Sequence, residues 1–109
     1  MPLFAAERAT DPAGQDVLTV SGDVDLATAH EFVAAADACL ASEAEGPLRL
    51  DLSGVTFIDS TGISALLEIR RAAANAGTDV VVVGCSAVVD RVLAIAGITD
   101  LFGSRRGGA

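Results

Sequence analysis

From Asp16 to Gly22 apolar and polar positions alternate, with Leu18 and Val20 on one side and Val17, Thr19 and Ser21 on the other. That period of two predicts a β-strand closed by Gly22. A weaker strand over Leu3 to Glu7 can pair with it across the turn-like stretch from Ala9 to Gln15. The period then changes. Leu26, Ala29, Val33, Ala36 and Leu40 recur at spacings of three and four behind Asp25, predicting a helix with Asp25 as its N-cap and Gly46 and Pro47 as its stop. Next, Leu48, Leu50 and Leu52 alternate with Arg49, Asp51 and Ser53, the pattern of a strand with one covered face. Ile63, Leu66, Leu67 and the run Arg70 to Ala74 predict a second helix ending at Asn75 and Gly77. Asp79 to Gly84 is β-branched and apolar on both sides, which suits a buried strand flanked by helices on at least one face. Ser86 opens a third helix whose stripe is Val89, Val92, Leu93 and Ala96 and whose end is Gly97; Ile98 to Phe102 is a last short strand or a packed tail. The order ββαβαβα predicts an α/β fold, a mixed and mostly parallel sheet of four or five strands covered by helices through right-handed crossovers.

The 109 residues suffice for a single core, so the expectation is one domain over 1–109, ordered from about 3 to 103, with 104–109 as a loose tail that includes Arg105 and Arg106. Charge narrows the choice of partner. Fifteen acidic residues against seven Arg and no Lys give a net charge of -8, which argues against nucleic acid or an anionic membrane surface. No run reaches the roughly 18 apolar residues of a membrane span, and the first residues do not form a signal peptide, so a cytoplasmic location without membrane insertion is expected. Cys39 and Cys85 lie far apart without a C-x-x-C pattern or a His cluster, and read as reduced, buried thiols rather than a metal or redox site.

The candidate chemistry sits where the second core strand meets the second helix, in Thr56 to Ile69. Asp59, Ser60 and Thr61 fall at the helix start, where side-chain oxygens accept bonds from first-turn amides; capping alone accounts for them. The same place also receives a phosphoryl group well, because the amides and the positive end of the helix dipole favour negative charge. Asp23, Asp25 and Asp59 would form an acidic rim if their two turns share one edge of the sheet, although solvation and capping explain them equally well.

The stretch Phe57 to Leu66, FIDSTGISAL, resembles the Asp-Ser-(Ser/Thr)-Gly signature of the STAS domain found in bacterial anti-sigma factor antagonists. The resemblance extends to Val20–Phe32, similar to the Gly-x-x-Asp turn before that family's first helix, and to Val89–Phe102, similar to its third helix and terminal segment. It implies a protein that binds a serine-kinase anti-sigma factor, is phosphorylated by it at Ser60 and is restored by a serine phosphatase, so regulating sigma-factor-dependent transcription in pathways such as stress response or sporulation. Thr61 replaces the second Ser of the commoner motif and leaves a second adjacent hydroxyl. Partner binding is expected at Asp59, Thr61 and Gly62, at the turn of Asp23 and Asp25, and at the start of the first helix near Thr28 and Glu31. Gly62 either lets the kinase approach the backbone or permits a tight helix start.

Two other classes compete with this reading. An enzyme is disfavoured: there is no phosphate-binding G-x-x-x-x-G-K-[ST], GISAL misses the G-x-S-x-G elbow, the sole His30 lies within the first helix, and no cofactor or metal motif occurs. ATP would belong to the partner. STAS domains also serve as scaffolds of stress-signalling assemblies and as accessory subunits of lipid transporters, which keeps a second role open for the same fold. Nothing in the pattern specifies an oligomeric state.

Overall fold

The computed structural model describes residues 3–10, 12–42 and 46–102. The predicted tail at 104–109 lies outside them. Four strands and three helices follow in the order β1 (Ala5–Thr10), β2 (Asp16–Val24), α1 (Ala29–Leu40), β3 (Leu48–Ile58), α2 (Ser60–Asn75), β4 (Val80–Cys85) and α3 (Ala87–Ala96), closed by a 3-10 turn at Thr99–Phe102. The sheet order is β1-β2-β3-β4, with β1 antiparallel to β2 and the other pairs parallel. There is no fifth strand among the described residues. Ile98 to Phe102 takes the packed-tail alternative, because the fully buried Phe102 ring gives that segment more than an edge pairing could.

Strands β2, β3 and β4 are laid down in one direction across the sheet, so right-handed crossovers carry α1 and α2 to the same face. The core forms there. Leu18, Val20 and Val24 of β2, Leu50 and Leu52 of β3 and Val82 of β4 meet Phe32 and Ala36 of α1, Leu66, Ile69 and Ala73 of α2, and Val89 and Leu93 of α3. The opposite face carries Thr19, Arg49, Asp51, Ser53 and Val83, all half-buried or exposed. Hence Asp79 to Gly84, apolar on both sides, is covered on one side only. Cys39 is buried as expected, whereas Cys85, in register with Leu52 at the end of β4 and packed at the margin of the core, is half-buried; neither forms a disulfide.

Two expectations about the first helix fail for one reason. The helix begins at Ala29 rather than behind Asp25, since residues 25–28 form a hydrogen-bonded turn in which the Thr28 and Ala29 amides both donate to the Asp25 carbonyl, at 3.1 and 2.8 Å. Asp25 therefore caps that turn, its carboxylate accepting from the Ala27 amide at 3.0 Å, and Leu26 projects into solvent at 79% exposure instead of joining the stripe. The stripe is Phe32, Ala36 and Cys39, with Ala29, Val33 and Leu40 half-buried beside it.

Candidate functional site

Strand β3 runs past β4 to Ile58, whose neighbour in register is Val24 at the end of β2. The chain then enters α2 with no loop. Asp59 stays extended, at φ -115° and ψ -170°, and its carboxylate accepts from the Gly62 amide at 3.0 Å while its carbonyl accepts from Ile63 at 2.9 Å. This is an N-cap, so the capping reading holds for Asp59. Ser60 is the first helical residue and is exposed; Thr61 is half-buried.

Gly62 explains how the helix can start so close to the sheet. It is buried, and a Cβ there would stand 2.6 Å from Ile58 Cγ1, 2.6 Å from the Val24 carbonyl oxygen and 3.1 Å from Val24 Cγ1. A side chain would push α2 off the strand ends. Of the two reasons expected for Gly62, the tight helix start is the one its surroundings support.

Asp23, Asp25 and Asp59 do gather at one end of the sheet, since Asp23 pairs with Phe57 in register and the Asp59 amide faces the Val24 carbonyl at 3.4 Å. Each carboxylate is already engaged. Asp23 accepts from the Thr56 hydroxyl at 2.8 Å across the strands, Asp25 holds its own turn and Asp59 holds the helix. Thr28 is drawn inward as well: its hydroxyl donates to the Asp23 carbonyl at 2.8 Å and accepts from the Asp25 amide at 3.0 Å, which makes it a brace of the turn. Glu31 and His30 remain exposed.

Two grooves flank the N-terminal half of α2. The one against α1, about 470 Å³, is lined by Leu26, Ala29, His30 and Val33 and by Thr61, Ser64 and Glu68 of α2. The one against α3, about 410 Å³, is walled by Ile63, Val92, Ile95 and Ala96, with Asp59, Ser60 and Ser64 at its edge. Adjacent hydroxyls thus open onto different grooves, Ser60 onto the α3 side and Thr61 onto the α1 side. Ser64 and Ile95 were missed in the sequence. Ile95 could have been found as an apolar residue off the stripe of α3; Ser64 carries no such signal.

A polar cluster lies at the opposite end, where Asp16, only 5% exposed, pairs with Arg8 at 2.6 Å and accepts from Thr10 at 3.1 Å and Ser42 at 3.2 Å. It ties β1 and the end of α1 to β2, and its groups are paired to one another, as a structural clamp requires. Among the described residues no group of three or more His, Cys, Asp or Glu could hold a metal ion, and no helix is long and apolar enough to cross a membrane.

Known proteins share this arrangement. A family model described as "Mlab, STAS domain" matches residues 8–103. An anti-sigma factor antagonist from Mycobacterium paratuberculosis superposes with a TM-score of 0.75 at 27% identity, over 94% of this chain and 84% of the other. The unphosphorylated form of the anti-sigma factor antagonist SpoIIAA gives 0.71 at 16% identity, over 89% and 84%. An antisigma-factor antagonist STAS domain from Rhodobacter sphaeroides gives 0.60 at 24%, over 75% and 87%. The last two likenesses speak for the fold alone. With nearly all of its sheet and helices inside the matched span, the chain belongs to the STAS domain family.

Proposed function

We propose that this protein is an anti-sigma factor antagonist, a single domain that acts in the cytoplasm by binding a serine-kinase anti-sigma factor and is released from it by phosphorylation of Ser60. The supporting observation is the position of Ser60, an exposed hydroxyl on the first residue of a helix docked directly on the strand ends. Phosphorylation adds about 1.5 to 2 negative charges there, which a helix N-terminus accommodates but an apolar protein contact does not. The fold therefore stays as it is while the docking surface changes. Restoration needs a serine phosphatase, ATP is bound by the kinase, and the role of the chain is binding rather than catalysis. The fit to an antagonist 27% identical over most of both chains favours this reading.

A second reading takes another role that the STAS resemblance implies, that of an accessory transporter subunit: the same surface would then dock on a transporter subunit. One experiment separates the two. Each serine-kinase anti-sigma factor encoded in the source genome is incubated with the protein and ATP, and the intact mass is followed. The antagonist reading predicts one added phosphate, lost in Ser60→Ala and retained in Thr61→Ala. No added phosphate with any of these kinases would transfer the case to the transporter role.

A further inference from the structure

The large apolar side chains left in solvent are not scattered. Leu3, Leu26, Phe57, Val83, Ile95 and Leu101 are the exposed ones among the described residues, and four of them surround the end of the sheet that carries Ser60. Leu3 lies against Gly22 just past the last β1–β2 pair, Leu26 sits in the turn after β2, Phe57 pairs with Asp23, and Ile95 shares a groove with Ser60. Ile95 is 80% exposed although α3 has a buried stripe in Val89 and Leu93 to which an isoleucine could have been added. An apolar ring of this kind at one end of a domain with a net charge of -8 is the mark of a protein-binding surface.

We infer that the groove between α2 and α3 is the anchor site for an apolar side chain of the partner kinase, with Ile95 as its outer wall, and that Ser60 acts through this groove alone. The inference rests on the functional reading above and assigns the part of the surface on which the phosphate works. Its walls are Ile63, Val92, Ile95 and Ala96, and the Ser60 hydroxyl stands at its edge. A leucine or aromatic ring seated there would be buried beside a dianion once Ser60 is phosphorylated, and so would lose the solvation-free contact that holds it. Thr61 lines the other groove and not this one, so its hydroxyl has no part in the gate.

Charge decides between a foreign partner and a second copy of this chain. The two grooves together carry Asp37, Asp59 and Glu68 and no Arg, and the chain as a whole stands at -8. Two such faces repel, whereas a partner presenting Lys or Arg around its apolar anchor is attracted. The occupant is therefore a basic-rimmed segment of the kinase.

The test is a double-mutant cycle on the affinity for the genome-encoded kinase that binds the wild-type protein, measured by calorimetry with Ile95→Ser, Leu26→Ser, Ser60→Asp and the paired variants. Ile95→Ser is expected to weaken binding at least tenfold with an unchanged melting temperature. Ser60→Asp should then cost much less in the Ile95→Ser background than in wild type, but just as much in the Leu26→Ser background. Wild-type affinity in Ile95→Ser, or full additivity of Ile95→Ser with Ser60→Asp, would overturn the inference while leaving the antagonist reading in place. Should no kinase bind the wild-type protein, the antagonist reading fails and the anchor site falls with it. A wild-type protein that sediments as a dimer, and Ile95→Ser as a monomer, would instead assign the groove to a second copy.

Discussion

Gly62→Ala is the smallest change that should disturb both the fold and the site. The added methyl would sit 2.6 Å from a side-chain carbon of Ile58 and 2.6 Å from the Val24 carbonyl oxygen, when contacts of that kind settle near 3.5 Å. Ile58 can rotate. The Val24 carbonyl belongs to a paired strand and cannot, so α2 has to shift outward by the better part of an ångström at its first turn. Overpacking of a close-packed interior costs about 1 to 3 kcal/mol, and a rigid backbone neighbour points to the upper end. Replacing Gly by Ala inside a helix returns about 0.5 to 1 kcal/mol, leaving a net loss of about 2 kcal/mol. With an unfolding entropy of about 2.1 cal/mol/K per residue, a chain of 109 residues loses about 4 °C of melting temperature per kcal/mol, so the expected fall is about 9 °C. Circular dichroism melts of Gly62→Ala and of the exposed neighbour Ser64→Ala, which should match wild type, measure it. A Gly62→Ala melting temperature equal to or above wild type would refute the view that α2 rests on the ends of β2 and β3 through this glycine.

Asp59→Ala removes the cap on the Gly62 amide and should cost about 1 kcal/mol, seen as a fall of roughly 4 °C in the same melts. Asp16→Ala strands Arg8 and removes two further hydrogen bonds; because Arg8 is half in water, the expected loss is about 2 kcal/mol rather than that of a fully buried pair, measurable by urea unfolding. Burial pushes the Cys39 thiol above its ordinary 9.0, with Arg8 opposing the rise and Asp16 adding to it. The native state therefore holds that proton longer than the unfolded chain, so its stabilisation is whole below 9.0 and is lost as pH climbs through the raised value; melting temperature should fall faster with alkaline pH in wild type than in Cys39→Ala. At neutral pH Cys39 should resist alkylation under native conditions while the half-buried Cys85 reacts, as peptide mapping would show.

Three of the four strands and two of the three helices were legible because their periods are clean; β1, expected over Leu3 to Glu7, lies at Ala5–Thr10, because an edge strand largely exposed on both faces has no alternation to mark its bounds. Leu48, Leu50 and Leu52 could face only one way, and Ser86 and Gly97 marked the ends of α3 without ambiguity. Leu26 misled because an apolar residue at helical spacing carries no sign of whether the helix has begun; the Asp25 turn, held by Thr28, delays it by one turn and turns Leu26 outward. The motif located Asp59, Ser60 and Gly62, yet could not tell that Ser60 and Thr61 open onto separate grooves. That depends on how α1 and α3 flank α2, a tertiary fact with no counterpart in a run of four residues. Thr28 was expected at the docking surface from its type and place; the bonds of its hydroxyl to the Asp23 carbonyl and the Asp25 amide, which brace the turn, are not legible in the sequence.

Under the proposed function, a single hydroxyl at the start of α2 decides whether this surface binds its kinase. Protein phosphorylated at Ser60 to full occupancy, confirmed by mass, should be titrated calorimetrically into that kinase beside the unmodified protein, with an amide-proton spectrum of each. Phosphorylation should lower the affinity at least a hundredfold, with spectral changes confined to the first turn of α2 and the groove between α2 and α3. Equal affinity for the two forms, or a spectrum altered throughout the domain, would contradict it.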